Sequence, residues 1–388
     1  MGKKLSVAIV GAGIGGLALA AFLRKLGMEA RIYEQASQFA RVGAGIQMTP
    51  NAMKVLRGLG VEERLCEVAY QPPFARSREW DTGRVTSEMP VKGAMLAQFG
   101  APFLFLHRAD LHAALESQVP RECVDLNRKL VGISQSGNGV TLSFADGTRV
   151  TADAVIGADG VHSTVREALL GPENPRFTGR VAYRTTFPAA LMGENRITPA
   201  RTKWWGPDRH MVVYYVNRRE DEVYFTTSTP EEADWRTRES WSSEGDLAVL
   251  REAYRGFHPE VQNLLAAAPK VHKWALMARD PLPRWGEGNI TLLGDACHPM
   301  TPYMAQGAAS ALEDAAVLSR CLKGADRDGV AEAFARYEAI RRPRATSIQS
   351  QSGKNTWLKE SAEPAWVYSY DAWTMPLAAP EPTFLAPA

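Results

Sequence analysis

The stretch Ser6–Glu34, SVAIVGAGIGGLALAAFLRKLGMEARIYE, decides how this chain is read. Val7 to Val10 is an apolar run closed at once by glycine, the pattern of a buried parallel strand. Gly11, Gly13 and Gly16 spell Gly-x-Gly-x-x-Gly, with Ile14 and Gly15 inside the turn. Leu17 to Leu26 predicts a helix rich in Ala and Leu, and Arg31 to Tyr33 a second short strand ending on Glu34. Glycines there permit a tight turn and the close approach of a pyrophosphate, whose charge meets the helix N-terminus. An acidic residue ending the second strand is placed to bind a ribose hydroxyl, with Gln35 beside it. Glycine-rich turns are common on their own. The order strand, glycine turn, helix, strand, glutamate predicts a dinucleotide-binding unit.

Working outward, two further glycine-containing turns follow apolar strands. Ala154 to Ile156 runs into Gly157-Ala158-Asp159-Gly160, and Ile290 to Leu293 runs into Gly294-Asp295. Asn51 to Leu59 and Gly307 to Cys321 read as helices, and Asp110 is expected to cap a helix running through Leu115. Between these pieces the pattern changes. Tyr70 to Pro90 alternates around the turn Asp81-Thr82-Gly83, Val124 to Val150 turns at Ala145-Asp146-Gly147, and Phe177 to Ser228 is strand-like and aromatic. The expectation is an α/β chain with two interleaved parts: residues 1–71, 101–176 and 271–388 bind the dinucleotide, while 72–100 and 177–270 form a mostly antiparallel sheet. The ligand site is expected in the cleft between them. The Pro- and Ala-rich tail after Met375 is expected to be loose.

Length and charge exclude several classes. The 388 residues suffice for two domains, and 45 basic against 43 acidic residues leave a net charge of +2. That balance speaks against nucleic acid or an anionic membrane as partner. Cys66, Cys123, Cys297 and Cys321 lack metal or Cys-x-x-Cys spacing and read as reduced thiols of a cytoplasmic protein. The histidines show no ligand spacing, so no metal is expected. No apolar run is long enough to span a bilayer. Met1-Gly2-Lys3-Lys4-Leu5-Ser6 fits a loose myristoylation pattern, set aside because a buried strand starts directly behind it.

Together, the turns at Gly11–Gly16, Gly157–Gly160 and Gly294-Asp295 resemble the signature of the FAD-dependent aromatic hydroxylases. These are the single-component flavoprotein monooxygenases of the 4-hydroxybenzoate hydroxylase type, and the likeness covers nearly the whole chain. It implies a Rossmann-like FAD-binding domain, an interleaved substrate-binding sheet and a C-terminal helix. It further implies FAD as cofactor, NADH or NADPH and molecular oxygen as co-substrates, and a small aromatic or pyridine acid as substrate. By this resemblance Glu34 holds the adenosine ribose, Arg108 contacts the cofactor chain, and Asp295 with Gly294 holds the ribityl chain. Asp159 and Gly160 support the pyrophosphate region. Pro302, Gln306, Gly307 and Ala308 lead into the Gly307 helix, whose positive end suits the negative charge that develops on a reduced flavin ring. With one full nucleotide fingerprint in the chain, NAD(P)H is expected to visit a surface groove, with Arg41 a candidate contact.

In the run Lys203–Tyr215, His210 and Tyr214 stand four apart on a strand and so face one side. With Gly294–Met300 and Met304–Ala308, this run resembles the branch of the family that acts on 6-hydroxynicotinate by decarboxylative hydroxylation. His210 and Tyr214 match that branch's pocket histidine and tyrosine. Three positions depart: Gln47 and Tyr303 stand where the branch has histidine, and Arg201 where it has cysteine. Gln47 hydrogen-bonds without titrating, and an unperturbed Tyr303 titrates only near about pH 10. An inward Arg201 favours an anionic substituent. The candidate catalytic residues are therefore His210, Tyr214, Gln47 and Tyr303, with Arg201, Met211 and Pro299 as candidate substrate contacts. Trp204, Trp205 and Tyr215 belong to either pocket wall or sheet core. The implied reaction is hydroxylation para to a hydroxyl or amino group, with loss of a carboxyl or acyl substituent. Hydroxylation of salicylate, 6-hydroxy-3-succinoylpyridine, 4-hydroxybenzoate or 4-aminobenzoate stays open, as does a flavin reductase without oxygen insertion. A monomer or homodimer is expected.

Overall fold

The structure, a computed structural model, describes residues 5–39, 44–137, 139–232, 244–357, 359, 363–378 and 381–387. Val7–Val10 lies inside a sheet ordered Gly286–Glu287, Ile290–Leu292, Ala154–Gly157, Val7–Val10, Ala30–Tyr33, Val124–Asp125. All its pairings are parallel except that of the first strand. The apolar run has its cause here, since each of its residues is at most 4% exposed. The three glycine-containing turns thus leave the ends of neighbouring parallel strands, where a ligand crevice forms in open α/β sheets.

The glycines are dictated by contact. A Cβ on Gly16 would stand 2.0 Å from the Gly11 carbonyl oxygen, so only glycine lets the helix Ile14–Lys25 lie this close to its strand. Gly11 has φ +102° and would place a Cβ 2.4 Å from the Ala158 carbonyl oxygen, so the first two turns touch. A Cβ on Gly15 would meet Leu293 Cδ2 at 2.4 Å and Ala311 Cβ at 3.3 Å, where Gly307–Leu322 packs on Ile14–Lys25.

A second sheet of eight strands runs Glu244–Gly245, Val271–Ala278, Arg176–Pro188, Glu222–Pro230, His210–Tyr215, Arg201–Trp205, Phe74–Glu79, Val85–Pro90. It is antiparallel apart from the parallel pairing of Arg201–Trp205 with Phe74–Glu79. Both expected hairpin turns are present, joining Phe74–Glu79 to Val85–Pro90 and Gly139–Phe144 to Arg149–Ala152. This sheet reaches Ala278, beyond the boundary expected at 270, because Val271–Ala278 pairs along Arg176–Pro188. A ribbon of Gly45–Met48 with Leu104–His107 stands apart from both sheets. The buried apolar residues form two large clusters, one around Val7–Val10 and its helices and one around Trp204, Tyr214 and Phe225.

Two local expectations need correction. The helix Arg108–Glu116 is capped by His107, whose Nδ1 accepts from the Ala109 N–H at 3.1 Å, while Asp110 sits in the first turn. There its charge complements the helix dipole without capping. The tail is held at several points: Arg320 Nη2 donates to the Met375 carbonyl at 2.7 Å, and Arg344 Nη1 to that of Phe384 at 2.9 Å.

Candidate active site

The dinucleotide cradle grows from the ends of the parallel strands. Glu34 ties the second strand to the first turn, its Oε2 accepting from the Ala12 N–H at 2.7 Å and its Oε1 from Ala36 at 2.9 Å. Gln35 beside it is exposed. Around Gly13 a Cβ would meet nothing within 4 Å, so the turn faces open space there. Neither Ile14–Lys25 nor Gly307–Leu322 has a side-chain cap or an acidic residue in its first turn. The N–H groups at both starts, those of Gly307 and Ala308 included, are left for an acceptor from outside the helix. Asp295 reaches the open cleft and is exposed, although protein massed around it still raises its carboxyl above the usual range. Arg108 is lowered by burial, and the charges of Arg108 and Asp295 offset part of each other's shift. Two uncapped helix starts and a facing carboxylate and guanidinium fit a cofactor with phosphates and a polyol chain.

Other candidates turn elsewhere. Asp159 caps the helix Thr164–Leu170 together with Ser163, its Oδ1 accepting from Ser163 Oγ at 2.5 Å and its Oδ2 from the Val165 N–H at 3.1 Å. Gly160 carries the turn with φ +77°, and burial raises the Asp159 carboxyl. The Gln306 side chain points inward: Nε2 donates to Thr49 Oγ1 at 2.9 Å, and Oε1 accepts from Asn51 Nδ2 at 2.9 Å. It shapes the loop entering the Gly307 helix from behind. The Gly294 N–H donates to Asp314 Oδ2 at 3.1 Å. Cys297, His298 and Asp314 have ligand atoms within 4.8 Å of one another, but Asp314 already serves His298, Arg341 and Gly294. Arg41 and residues 1–4 lie outside the described residues.

Strand register builds the substrate cavity. Trp205 is level with His210 and Lys203 with Val212, and His210 in turn with Ser228 and Tyr214 with Tyr224. Alternation then puts Arg201, Lys203 and Trp205 on one face with His210, Val212 and Tyr214. The cavity over that face is lined by Gln47, Phe103, Arg201, Lys203, His210, Thr226, Pro302, Tyr303, Trp357 and Tyr368, among others. At one end the His210 ring lies 5.4 Å from that of Tyr303 and 5.2 Å from that of Trp205. Tyr303 Oη and Ser228 Oγ share a hydrogen bond of 2.9 Å. At the other end Gln47 lines the cavity, while Tyr214 stands behind it outside the lining, its ring packed 5.0 Å from Phe105 and 5.1 Å from Tyr224.

Burial sets the protonation states. It pushes His210 well below its ordinary 6.5, the Lys203 charge adding to the effect, so the imidazole is neutral and free to accept a proton. It pushes Tyr214 well above its ordinary value, so that hydroxyl stays protonated. Arg201 and Lys203 are 5% and 1% exposed. Among the described residues no carboxylate forms an ion pair with either, and both are lowered chiefly by desolvation.

Strand alternation also excludes residues. Met211 and Trp204 occupy the opposite face and are fully buried in the core, as is Tyr215, which stacks edge-on against Tyr70. Pro299 is buried with its carbonyl accepting from Gln349 Nε2 at 2.9 Å, and it does not line the cavity. Lys203, Phe103, Thr226, Trp357 and Tyr368 were not foreseen. For Lys203 the signal was present: a lysine two residues from Arg201 shares its face on a strand. The others come from distant parts of the chain.

The sequence matches the FAD binding domain model over residues 4–352, and the chain belongs to that family. It is 44% identical over 382 residues to the 6-hydroxynicotinate 3-monooxygenase of Pseudomonas fluorescens, covering 98% of this chain and 99% of that one. To the 3-amino-4-hydroxybenzoate 2-monooxygenase of Streptomyces cremeus it is 37% identical over 353 residues, covering 90% and 86%. Among solved structures it matches Klebsiella pneumoniae HpxO complexed with FAD and uric acid, with a TM-score of 0.81 and 25% identity over 90% of this chain and 87% of that one. This protein is an FAD-dependent aromatic monooxygenase, using NAD(P)H and oxygen. Among the described residues no helix is long and apolar enough to cross a membrane.

Proposed function

We propose that this enzyme hydroxylates a small aromatic or pyridine acid bearing a para hydroxyl or amino group, by attack at the carbon carrying a carboxyl or acyl substituent, which leaves. The observation that carries this reading is one cavity joining a neutral buried histidine to a buried arginine that has no acid partner among the described residues. The loop Pro302–Ala305, which leads into the Gly307 helix, forms part of its wall. Bound FAD, once reduced, supplies the electrophilic oxygen. His210 accepts the ring hydroxyl proton and so makes the ring electron-rich. Tyr303, fixed by Ser228, hydrogen-bonds at that end, and Arg201 takes the acid substituent. Gln47 hydrogen-bonds the substrate without titrating, with Tyr214 behind it, while Phe103, Trp357 and Tyr368 exclude water.

In the same reading Glu34, Arg108, Asp295 and the starts of the two uncapped helices hold FAD, and the chain divides into the two interleaved domains expected. The four thiols are free, in keeping with a cytoplasmic protein, active as monomer or homodimer. The test mixes FAD-bound enzyme with NADH or NADPH, oxygen and 6-hydroxynicotinate, 6-hydroxy-3-succinoylpyridine, 4-hydroxybenzoate, 4-aminobenzoate or salicylate. Expected is one acid that speeds NAD(P)H oxidation and yields a ring hydroxylated where its substituent stood, seen by mass spectrometry. Hydroxylation with the substituent retained would overturn the ipso assignment. Oxidation without any hydroxylated product would leave a reductase.

A further inference from the structure

The cavity holds two buried basic side chains, both lowered by desolvation, and they lean toward different ends. Arg201 lies toward Tyr214 and Tyr368. Lys203 leans the other way: its Nζ sits 3.6 Å from the Trp205 ring centre and 6.0 Å from that of Tyr303. Those two rings also flank His210, at 5.2 Å and 5.4 Å. The ammonium and the imidazole therefore share Trp205 and Tyr303 as neighbours. Among the described residues no acid joins them: the charged groups acting on Lys203 are Arg201 and Lys359, and those acting on His210 are Lys203, Arg180 and Arg201.

Resting on the aromatic-acid reading above, we infer that Lys203 is a catalytic residue that stabilises the substrate's ring oxyanion beside His210 and Tyr303, while Arg201 takes the acid at the far end. The step balances as a proton transfer. The ring O–H bond breaks, its proton goes to a ring nitrogen of His210, and its electron pair stays on oxygen beside Lys203, whose charged form the oxyanion favours in turn. A cation in a dry site lowers the pKa of a neighbouring hydroxyl because it favours the charged form. Arg180, His210, Tyr303, Lys359 and, from further along the strand, Arg201 are the titratable or charged groups acting at this end, and among the described residues none is a carboxylate that would cancel the effect.

The test compares rings with and without the hydroxyl. FAD-bound enzyme is titrated, without NAD(P)H, with 4-hydroxybenzoate and benzoate and with 6-hydroxynicotinate and nicotinate. Flavin absorbance reports affinity, and the ultraviolet spectrum reports ionisation of the bound hydroxy ring against pH. In the wild-type enzyme the bound ring is expected to ionise at lower pH than the free acid. Lys203→Met should raise that midpoint by roughly 1–3 pH units, with benzoate and nicotinate affinity kept within about twofold. Lys203→Arg should restore the low midpoint, and Arg201→Met should weaken acids with and without the hydroxyl alike. Retained benzoate or nicotinate binding shows that the variant site is folded. If Lys203→Met weakens the hydroxyl-free acids as much as the hydroxy acids, or leaves ring ionisation unchanged, the inference is overturned. If the wild-type enzyme binds neither hydroxy acid, the aromatic-acid reading itself falls, and this inference with it.

Discussion

Arg341 and Arg344 in the helix Val330–Gly353, and Arg201 and Lys203 in the strand Arg201–Trp205, are all buried cations, yet they live in opposite circumstances. The first pair is neutralised. Arg341 Nε donates to Asp314 Oδ1 at 2.8 Å, Arg344 Nε and Nη2 donate to Glu313 at 3.0 Å each, and Asn51 Nδ2 adds a bond to Glu313 Oε1 at 2.7 Å. Arg344 also holds the carbonyls of Trp366 and Val367. The second pair has aromatic neighbours and a cavity, and no acid partner among the described residues. Burying a charge is costly unless it is paired. The paired set therefore cements the Gly307 helix to the C-terminal helix, and the unpaired set marks where an anion must arrive.

Variants can break that contrast. Glu313→Ala should cost most, about 3–5 kcal/mol of unfolding free energy, because it strands the Arg344 guanidinium in the core. Denaturant melts that match the wild type would refute the structural reading of this set. Next, His210→Asn should lower kcat by about 10²–10⁴-fold through loss of the proton acceptor, with unfolding stability kept. Steady-state rates that hold up would remove His210 from the chemistry.

Arg201→Met carries the contrast in its sign. It should weaken the acid substrate by about 1.5–3 kcal/mol, the worth of a hydrogen bond to a charged group, read as a higher KM. Melting of the unliganded enzyme should be unchanged or improved, since an uncompensated charge has gone. A loss of stability like that of Glu313→Ala would mean that Arg201 has a counter-ion after all.

The smallest effect is on pH dependence. His210 is depressed below its ordinary 6.5, so below that pH the unfolded chain binds a proton that the folded one resists. Stability should therefore fall as pH drops from about 6.5, the ordinary value for histidine, and His210→Asn should remove that limb. Glu313 and Asp314 are held below their ordinary 4.5 and 3.8. Their contribution is complete above those values and is lost only as pH falls through the lower folded ones. Melts across this range should thus separate a shallow limb belonging to the site from a steep one belonging to the paired set.

Much of this was legible in the residues. Ser6–Glu34 announced strand, turn, helix and strand because each signal is local: an apolar run, glycines forced by contact, a helix of good formers. The face shared by His210 and Tyr214 followed from strand alternation, whereas that of Lys203 with Arg201, though the same rule encodes it, was not foreseen. Less legible were positions whose meaning depends on a distant partner. For Asp159 the residues gave no sign that its oxygens also accept from Ser163 and Val165. Gln306 looks like a cleft residue until Thr49 and Asn51, far back in the chain, are found holding it. The tail looks loose until Arg344 pins it.

By itself, then, the sequence determined the class of the protein and the order of its pieces, because backbone pattern and turn chemistry are properties of neighbouring residues. Only the tertiary structure decided which charges are compensated and which face the cavity. That depends on bringing Gln47, Arg201 to Tyr214, Tyr303 and Tyr368 to one place, and no periodicity encodes a contact between residues so far apart.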